Sequence, residues 1–211
     1  LDILYKKEFI LFVVLITILI INSNLTPYFL DLYNLIDSTF LFSEKAIIAL
    51  TMTFVIIARQ IDLSVASIIA VSSVVLGYTT SLGYDTWLVI SLTLLSGALC
   101  GAFNGAIITK FAIPSIIVTI GTMSLFRGLA YSFLEDSYYN KFPKIVSNLG
   151  SGYLFGYIPY AFLTFILLAL VFAFILHKTT VGKKIFSIGN NPDAAQYTGI
   201  AVDKYTFVLF T

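Results

Sequence analysis

The polar and ionisable side chains set within apolar runs are where this sequence can do chemistry, and Asp62 is the first of them. It stands in Arg59-Gln60-Ile61-Asp62-Leu63-Ser64, a short polar break between two apolar stretches. A carboxylate at membrane depth is costly unless it is paired, solvated or capping. Asp62 can cap the helix that follows, where its charge suits the positive end of the helix dipole, or it can face a solute. Arg127 lies well inside a later apolar run, where it must reach protein, water or headgroups. Snorkelling to the interface and lining a polar path both satisfy it. The same run carries Ser115, Thr119, Thr122 and Ser124. Hydroxyls donate and accept, so they suit a passage for a polyhydroxylated solute, or they can bond their own backbone carbonyls. Asp62, Ser64, Asn104, Thr119, Thr122 and Arg127 are therefore the candidates for a translocation path.

The elements that must position these groups are membrane spans. Hydrophobic residues make up 59% of the chain and charged ones 11%, with a mean hydropathy of +0.97. That is too little charge to keep the surface of a soluble domain wet. Six apolar runs are bounded by charges: Phe9–Ile21, Ala46–Ala58, Leu63–Leu82, Trp87–Ile108, Ile113–Leu134 and Ile158–Leu176. A seventh begins near Tyr205. The expectation is an all-α polytopic membrane protein with one permease domain over residues 1–211. Phe9–Ile21 follows Lys6-Lys7 without an A-x-A-like site, so it reads as a retained span rather than a signal peptide. Two runs open on Ile113-Pro114 and Ile158-Pro159, which suits proline in a first helical turn.

Alternating the spans puts Lys6, Lys7, Arg59, Lys110, Lys178, Lys183, Lys184 and Lys204 on one side, the cytoplasmic side by the positive-inside rule. Lys45, Lys141 and Lys144 fall outside with Asp31, Asp37, Glu44, Asp85, Glu135 and Asp136. The second run has an apolar core of about 13 residues, short of the roughly 20 that a straight crossing wants. A short span, a polar break and a resumed span describe a discontinuous helix; a tight turn between two ordinary helices is the alternative.

Gly97, Gly101 and Gly105 recur every fourth residue, two overlapping GxxxG units that permit close helix approach. Ala66, Ala70, Ser73 and Gly77 make a looser stripe of the same kind. Cys100, the one cysteine, excludes an internal disulfide. No HExxH, GxSxG, Walker A or Cys/His cluster is present, so neither catalysis nor a metal site nor a cofactor bound by this chain is expected. Net charge of +1 gives no reason to expect nucleic acid.

Residues 177–204 form a polar stretch longer than a connector needs, and its shape suits docking to a partner in the aqueous phase. It contains Gly182, then Gly189-Asn190-Asn191-Pro192-Asp193-Ala194-Ala195, then Gly199. Several segments, in order, resemble the permeases of bacterial ABC sugar importers of the ribose, xylose, rhamnose and autoinducer-2 group. Ile61-Asp62-Leu63-Ser64-Val65 resembles that family's "GGIDLSVGS", and Phe103-Asn104-Gly105 its "G-x-x-N-G". Ile113-Pro114 through Met123 is similar to "VPPFIVTLGTM", with Phe126-Arg127-Gly128 as its continuation. Thr180–Lys183 and Ile188–Ile200 resemble "T-x-x-G-R…IGGNPEAA…GI". The departures are Arg59-Gln60 for Gly-Gly, Ala66 for glycine, Lys183 for arginine and Asp193 for glutamate. The rhamnose branch is the nearest match.

The resemblance implies an inner-membrane subunit that imports a monosaccharide by alternating access. Residues 177–204 would be the cytoplasmic coupling loop, with Asp193-Ala194-Ala195 and Gly199 in the place of the EAA-x3-G element that docks on an ATPase subunit. The implied partners are ABC ATPase subunits that use ATP, a second permease subunit, an extracytoplasmic substrate-binding protein and the lipid bilayer. Members of the family carry roughly ten spans, so the expectation is that this chain is a fragment. The rival classes are an ion-coupled secondary transporter or channel using Asp62, and an intramembrane enzyme.

Overall fold

The computed structural model describes residues 7–134 and 138–211; Lys6, Glu135 and Asp136, which entered the charge count above, lie outside them. The described residues form ten α-helices and one two-stranded hairpin. In chain order these are α1 (Lys7–Leu25), α2 (Leu32–Ile57), α3 (Val65–Ser81), α4 (Thr86–Phe111), α5 (Ser115–Leu134), α6 (Lys144–Ser151), β1 (Tyr153–Leu154), β2 (Ile158–Pro159), α7 (Tyr160–Lys178), α8 (Thr180–Asn190), α9 (Pro192–Tyr197) and α10 (Val202–Phe210). Each of the six apolar runs falls largely on one helix. Four of these, α2, α4, α5 and α7, are long and apolar enough to cross a membrane, whereas the apolar parts of α1 and α3 are shorter. The chain is an all-α polytopic membrane protein.

The second span differs most from its sequence reading. Helix α2 starts at Leu32, not near Ala46, and Asp31 caps it by accepting the Asn34 N–H. Asp37, Glu44 and Lys45 therefore lie within a helix of 26 residues, about 39 Å long. Backbone hydrogen bonding is indifferent to side-chain charge, which a hydropathy run is not. The break after it is real: residues 58–64 are not helical, and α2 and α3 do not fold back as a packed hairpin. The two prolines also sit slightly earlier than expected, Pro114 immediately before α5 and Pro159 as the residue flanking α7.

The helices form two packed groups. Helix α3 lies against α4 and α5, and α10 crosses α4. Helix α2 pairs with α7 and is met at its C-terminal end by α8. The N-terminal part of α2 is clamped by the hairpin, where the Tyr153 hydroxyl donates to Asp37 at 2.7 Å and Tyr33 meets Tyr157 edge to face. The Asp37 carboxylate, which accepts the phenol proton, raises the Tyr153 pKa above its ordinary value, with desolvation adding to it.

The glycine ladder of α4 lies where helices come closest. A methyl at Gly101 would collide with the Phe210 carbonyl, one at Gly105 would press on Phe207, and one at Gly97 would touch Ser72 of α3. Gly128 of α5 faces open space. Gly101→Ala should therefore destabilise the protein by about 1–3 kcal/mol, as overpacking does, and lower the thermal midpoint in detergent. Gly128→Ala, the control, should be neutral or stabilising by up to about 1 kcal/mol.

Candidate functional site: the break at residues 58–64 and the helical knob at 180–199

The break begins with a cap. Arg59 donates its N–H to Ile56 and Gln60 donates to Val55, both carbonyls in the last turn of α2. This is the Schellman arrangement, in which the residue after the cap takes a left-handed conformation and glycine is the usual choice. Arg59 takes it with φ 61°. The Gly-Gly of the resembling motif thus has a physical reason, and Arg59 bears a steric cost that glycine would not.

Beyond the cap the chain runs extended and is held by polar contacts from two helices. Ser115 of α5 accepts the Ile61 N–H at 3.0 Å. The Thr119 hydroxyl lies 3.3 Å from the Ile61 carbonyl but has a shorter bond, 2.8 Å, to Ser115 of its own helix. On the other flank a relay runs from α4. The Asn104 amide donates to the Ser64 hydroxyl at 2.8 Å, and that hydroxyl donates to the Asp62 carboxylate at 2.6 Å. Asp62 also accepts the Ser64 N–H at 2.7 Å. Asn104, Ser64 and Thr119 are fully buried, and the Asn104 carbonyl oxygen has no hydrogen-bond partner among the described residues.

The candidate path residues therefore separate into three places. Asp62 is half-buried and lines the crevices between α2 and α3. Ser64, Asn104, Thr119 and Thr122 are buried where the break, α4 and α5 meet. Arg127 is exposed on the side of α5 away from Ser115, Thr119 and Thr122, and so is Ser124.

The stretch after α7 is helical rather than a loop. Thr179 caps α8 by accepting the Gly182 N–H, and a side chain at Gly182 would collide with the Leu176 carbonyl, so the α7–α8 corner requires glycine. Asn191 caps α9 through the Ala194 N–H at 3.0 Å, with Pro192 in the first turn. Gly199 ends α9 with φ +84° and a second Schellman pair: Gly199 donates to Gln196 and Ile200 to Ala195. One face of this unit is buried. Ile185, Ile188 and Ala195 pack around Ala58, and Gly189 lies so close to the Ile57 carbonyl that no side chain fits. Lys184 sits 5.4 Å from the Tyr205 ring centroid of α10, a cation–π distance. The other face, with Asn190, Asp193, Ala194 and Tyr197, is exposed.

Sequence reasoning did not single out Ala58, the hinge between knob and break, because an alanine in an apolar run carries no signal. It also missed Glu44, which the charge count had placed in an outer loop. Two measurements test the geometry of the break. Ser64→Ala removes the middle of the relay and leaves the Asn104 amide without its acceptor, so stability should fall by about 1–3 kcal/mol. Arg59→Gly should be neutral or stabilising by up to about 1 kcal/mol, the left-handed penalty removed less the entropy of glycine. Denaturant or thermal unfolding in detergent reads both.

Comparison with known proteins places this geometry in a family. Residues 34–211 match the family described as branched-chain amino acid transport system, permease component. The chain is 34% identical over 209 residues to an autoinducer 2 import system permease protein, LsrD, of Klebsiella pneumoniae, covering 96% of the chain and 63% of that protein. It is 32% identical over 206 residues to a ribose import permease protein, RbsC, of Haemophilus influenzae, covering 94% and 62%. An autoinducer 2 permease protein, LsrC, of Photorhabdus luminescens is 32% identical over 200 residues, at 93% and 60% coverage. The chain thus spans less than two thirds of the length of these relatives. No solved structure matches it. The chain belongs to this family of permease components, alongside ribose and autoinducer 2 import permeases, and is a multi-pass protein of the bacterial inner membrane.

Proposed function

We propose that this chain is the membrane-spanning part of an ATP-driven importer of a monosaccharide or similar small polar solute. The observation that carries the reading is the position of the knob. Helices α8 and α9 rest on Ala58 through Ile185, Ile188 and Ala195, and the next residue opens the break that carries Asp62. A push on the exposed face of the knob is delivered through close-packed side chains, which transmit strain because they leave little room to yield. It arrives at the junction between the two helix groups. That is what an importer needs in order to convert closure of an external ATPase into movement around a solute route.

In this reading residues 177–204 face the cytoplasm, where α9 enters a groove on an ATPase subunit. The small Ala194 allows close approach, and Asp193 and Asn190 flank it. Tyr197 is 93% exposed; tyrosine is enriched among residues that dominate binding energy at interfaces, so it is the anchor of the contact. The chain binds no cofactor, and ATP is used by the partner subunits. A second permease subunit and an extracytoplasmic binding protein complete the assembly. Within the substrate class, Leu63–Ala66 and Ala194–Ile200 favour rhamnose by resemblance, whereas the similar proteins are named for ribose and autoinducer 2 import.

The test is co-purification of the full-length permease with candidate ATPase subunits from the same genome. Gly199→Asp, Ala194→Glu and Tyr197→Ala should each reduce ATPase recovery, by about tenfold or more for Tyr197→Ala if it is an interface hot spot, while membrane insertion persists. Equal recovery across wild type and variants would overturn the coupling assignment. Uptake assays with rhamnose, ribose and autoinducer 2 then read the solute. Uptake that survives ATP depletion but collapses with the proton gradient would favour an ion-coupled carrier instead.

A further inference from the structure

Glu44 is one of the ionisable groups that the sequence placed in a loop and the structure places in α2. It is the thirteenth residue of α2, about 20 Å along the axis from Ile57, where Gly189 of the knob abuts the helix. Against a hydrocarbon layer of about 30 Å, that places it inside the bilayer when the knob lies at one face. It lies about 10 Å deeper than Asp37, whose bond to Tyr153 marks the hairpin at the other end. The Glu44 carboxylate is exposed and forms no ion pair or hydrogen bond among the described residues. A mid-span carboxylate facing lipid is costly, so such groups face water, a partner or a passage.

The surroundings of Glu44 supply a passage. Helices α2 and α3 are separated by a crevice of about 410 Å³, within the range of small-molecule sites. Glu44 and Met52 line one wall, and Asp62, Ala66 and Ile69 line the other. Among the described residues, the only side chains there with hydrogen-bonding oxygens are the two carboxylates, and the rest of the lining is apolar. Asp62 is fixed by Ser64 on one oxygen, which leaves the other free to accept. Two acidic side chains are too few oxygens for a bound calcium or magnesium ion, which takes six or more. They are the right chemistry for hydroxyl donors, since ionised carboxylates only accept, while the apolar walls suit the C–H faces of a sugar ring.

We propose that Glu44 and Asp62 accept hydroxyl groups of a neutral polyhydroxylated solute in the α2–α3 crevice, making Glu44 a binding residue on the solute route. This rests on reading the chain as a solute-conducting permease. The full-length permease, assembled with its ATPase and binding-protein partners in proteoliposomes, provides the first test, with rhamnose and ribose as probes. Solute moved per ATP hydrolysed should fall about tenfold or more in Glu44→Ala, the loss expected on removing a hydrogen-bonding charged group. It should fall less in Glu44→Gln, which keeps an acceptor. Lys45→Ala, which alters a residue outside the crevice, should transport as wild type does. An unchanged ratio in Glu44→Ala would overturn the proposal.

Accessibility gives a second readout that needs no coupled transport. With Cys100 replaced by Ser, Glu44→Cys should react with a water-soluble, membrane-impermeant thiol reagent, and rhamnose or ribose should slow the reaction. Absence of labelling would place Glu44 against lipid or another helix and sink the idea; labelling that neither sugar slows would also count against it. Failure of wild type to recruit any ATPase would instead defeat the importer reading, while the labelling result would still decide the crevice.

Discussion

The Asn104–Ser64–Asp62 relay is the interaction on which the rest of this structure leans. Residues 58–64 leave the helical hydrogen-bonding ladder inside a membrane protein, where backbone groups without partners are costly. Such a segment persists only if other elements supply partners. Here α5 does so through Ser115 at the Ile61 N–H and Asp62 at the Ser64 N–H, while Asn104 of α4 holds the Ser64 hydroxyl that fixes that carboxylate. The break is therefore not slack between two helices but a fixed polar junction. It joins the α3–α4–α5–α10 group to the α2–α7–α8 group.

That junction decides which motions are cheap. Inside each group helices approach closely, as Gly101 shows by leaving no room beside the Phe210 carbonyl. Between α2 and α3 there is a crevice, not a packed seam. The two groups nevertheless share a buried seam, in which Val55 of α2 packs with Ile108, Val118 and Phe210, so relative movement must repack that cluster. The knob formed by α8 and α9 packs on Ala58 at the end of α2 and on Val202, Tyr205 and Leu209 of α10, so it touches both groups.

How much of this could be read from residue types depends on which physics each feature obeys. The glycine ladder, the polar break and the Asn191–Gly199 unit were legible because their signals are local: glycine spacing, a charged interruption and capping residues at fixed offsets. The outer half of α2 was not. Asp37, Glu44 and Lys45 lower the local hydropathy enough to end an apolar run, yet the helix continues through them because its backbone bonds do not depend on what the side chains carry. The length of the 177–204 stretch marked it as more than a connector, but its polarity disguised two helices. They are amphipathic on a short scale, with Ile185, Ile188 and Ala195 on the buried side. Arg127 was legible as unusual, but residue order could not say that its side of α5 is exposed while Ser115, Thr119 and Thr122 are buried.

Arg59 shows how a departure from a motif can be weighed by conformation alone. The backbone at this position must turn left-handed to let Gln60 reach the Val55 carbonyl. Glycine does this without steric cost, whereas arginine pays about 1–2 kcal/mol in the left-handed region. Because the fold adopts the turn regardless, the partners on either side must offset that cost: Ser115 at Ile61, and Asp62 with Ser64 at the start of α3. The strain is confined to one residue, at the point where α2 hands over to the extended chain. Loss of those partners would leave that cost without its offset.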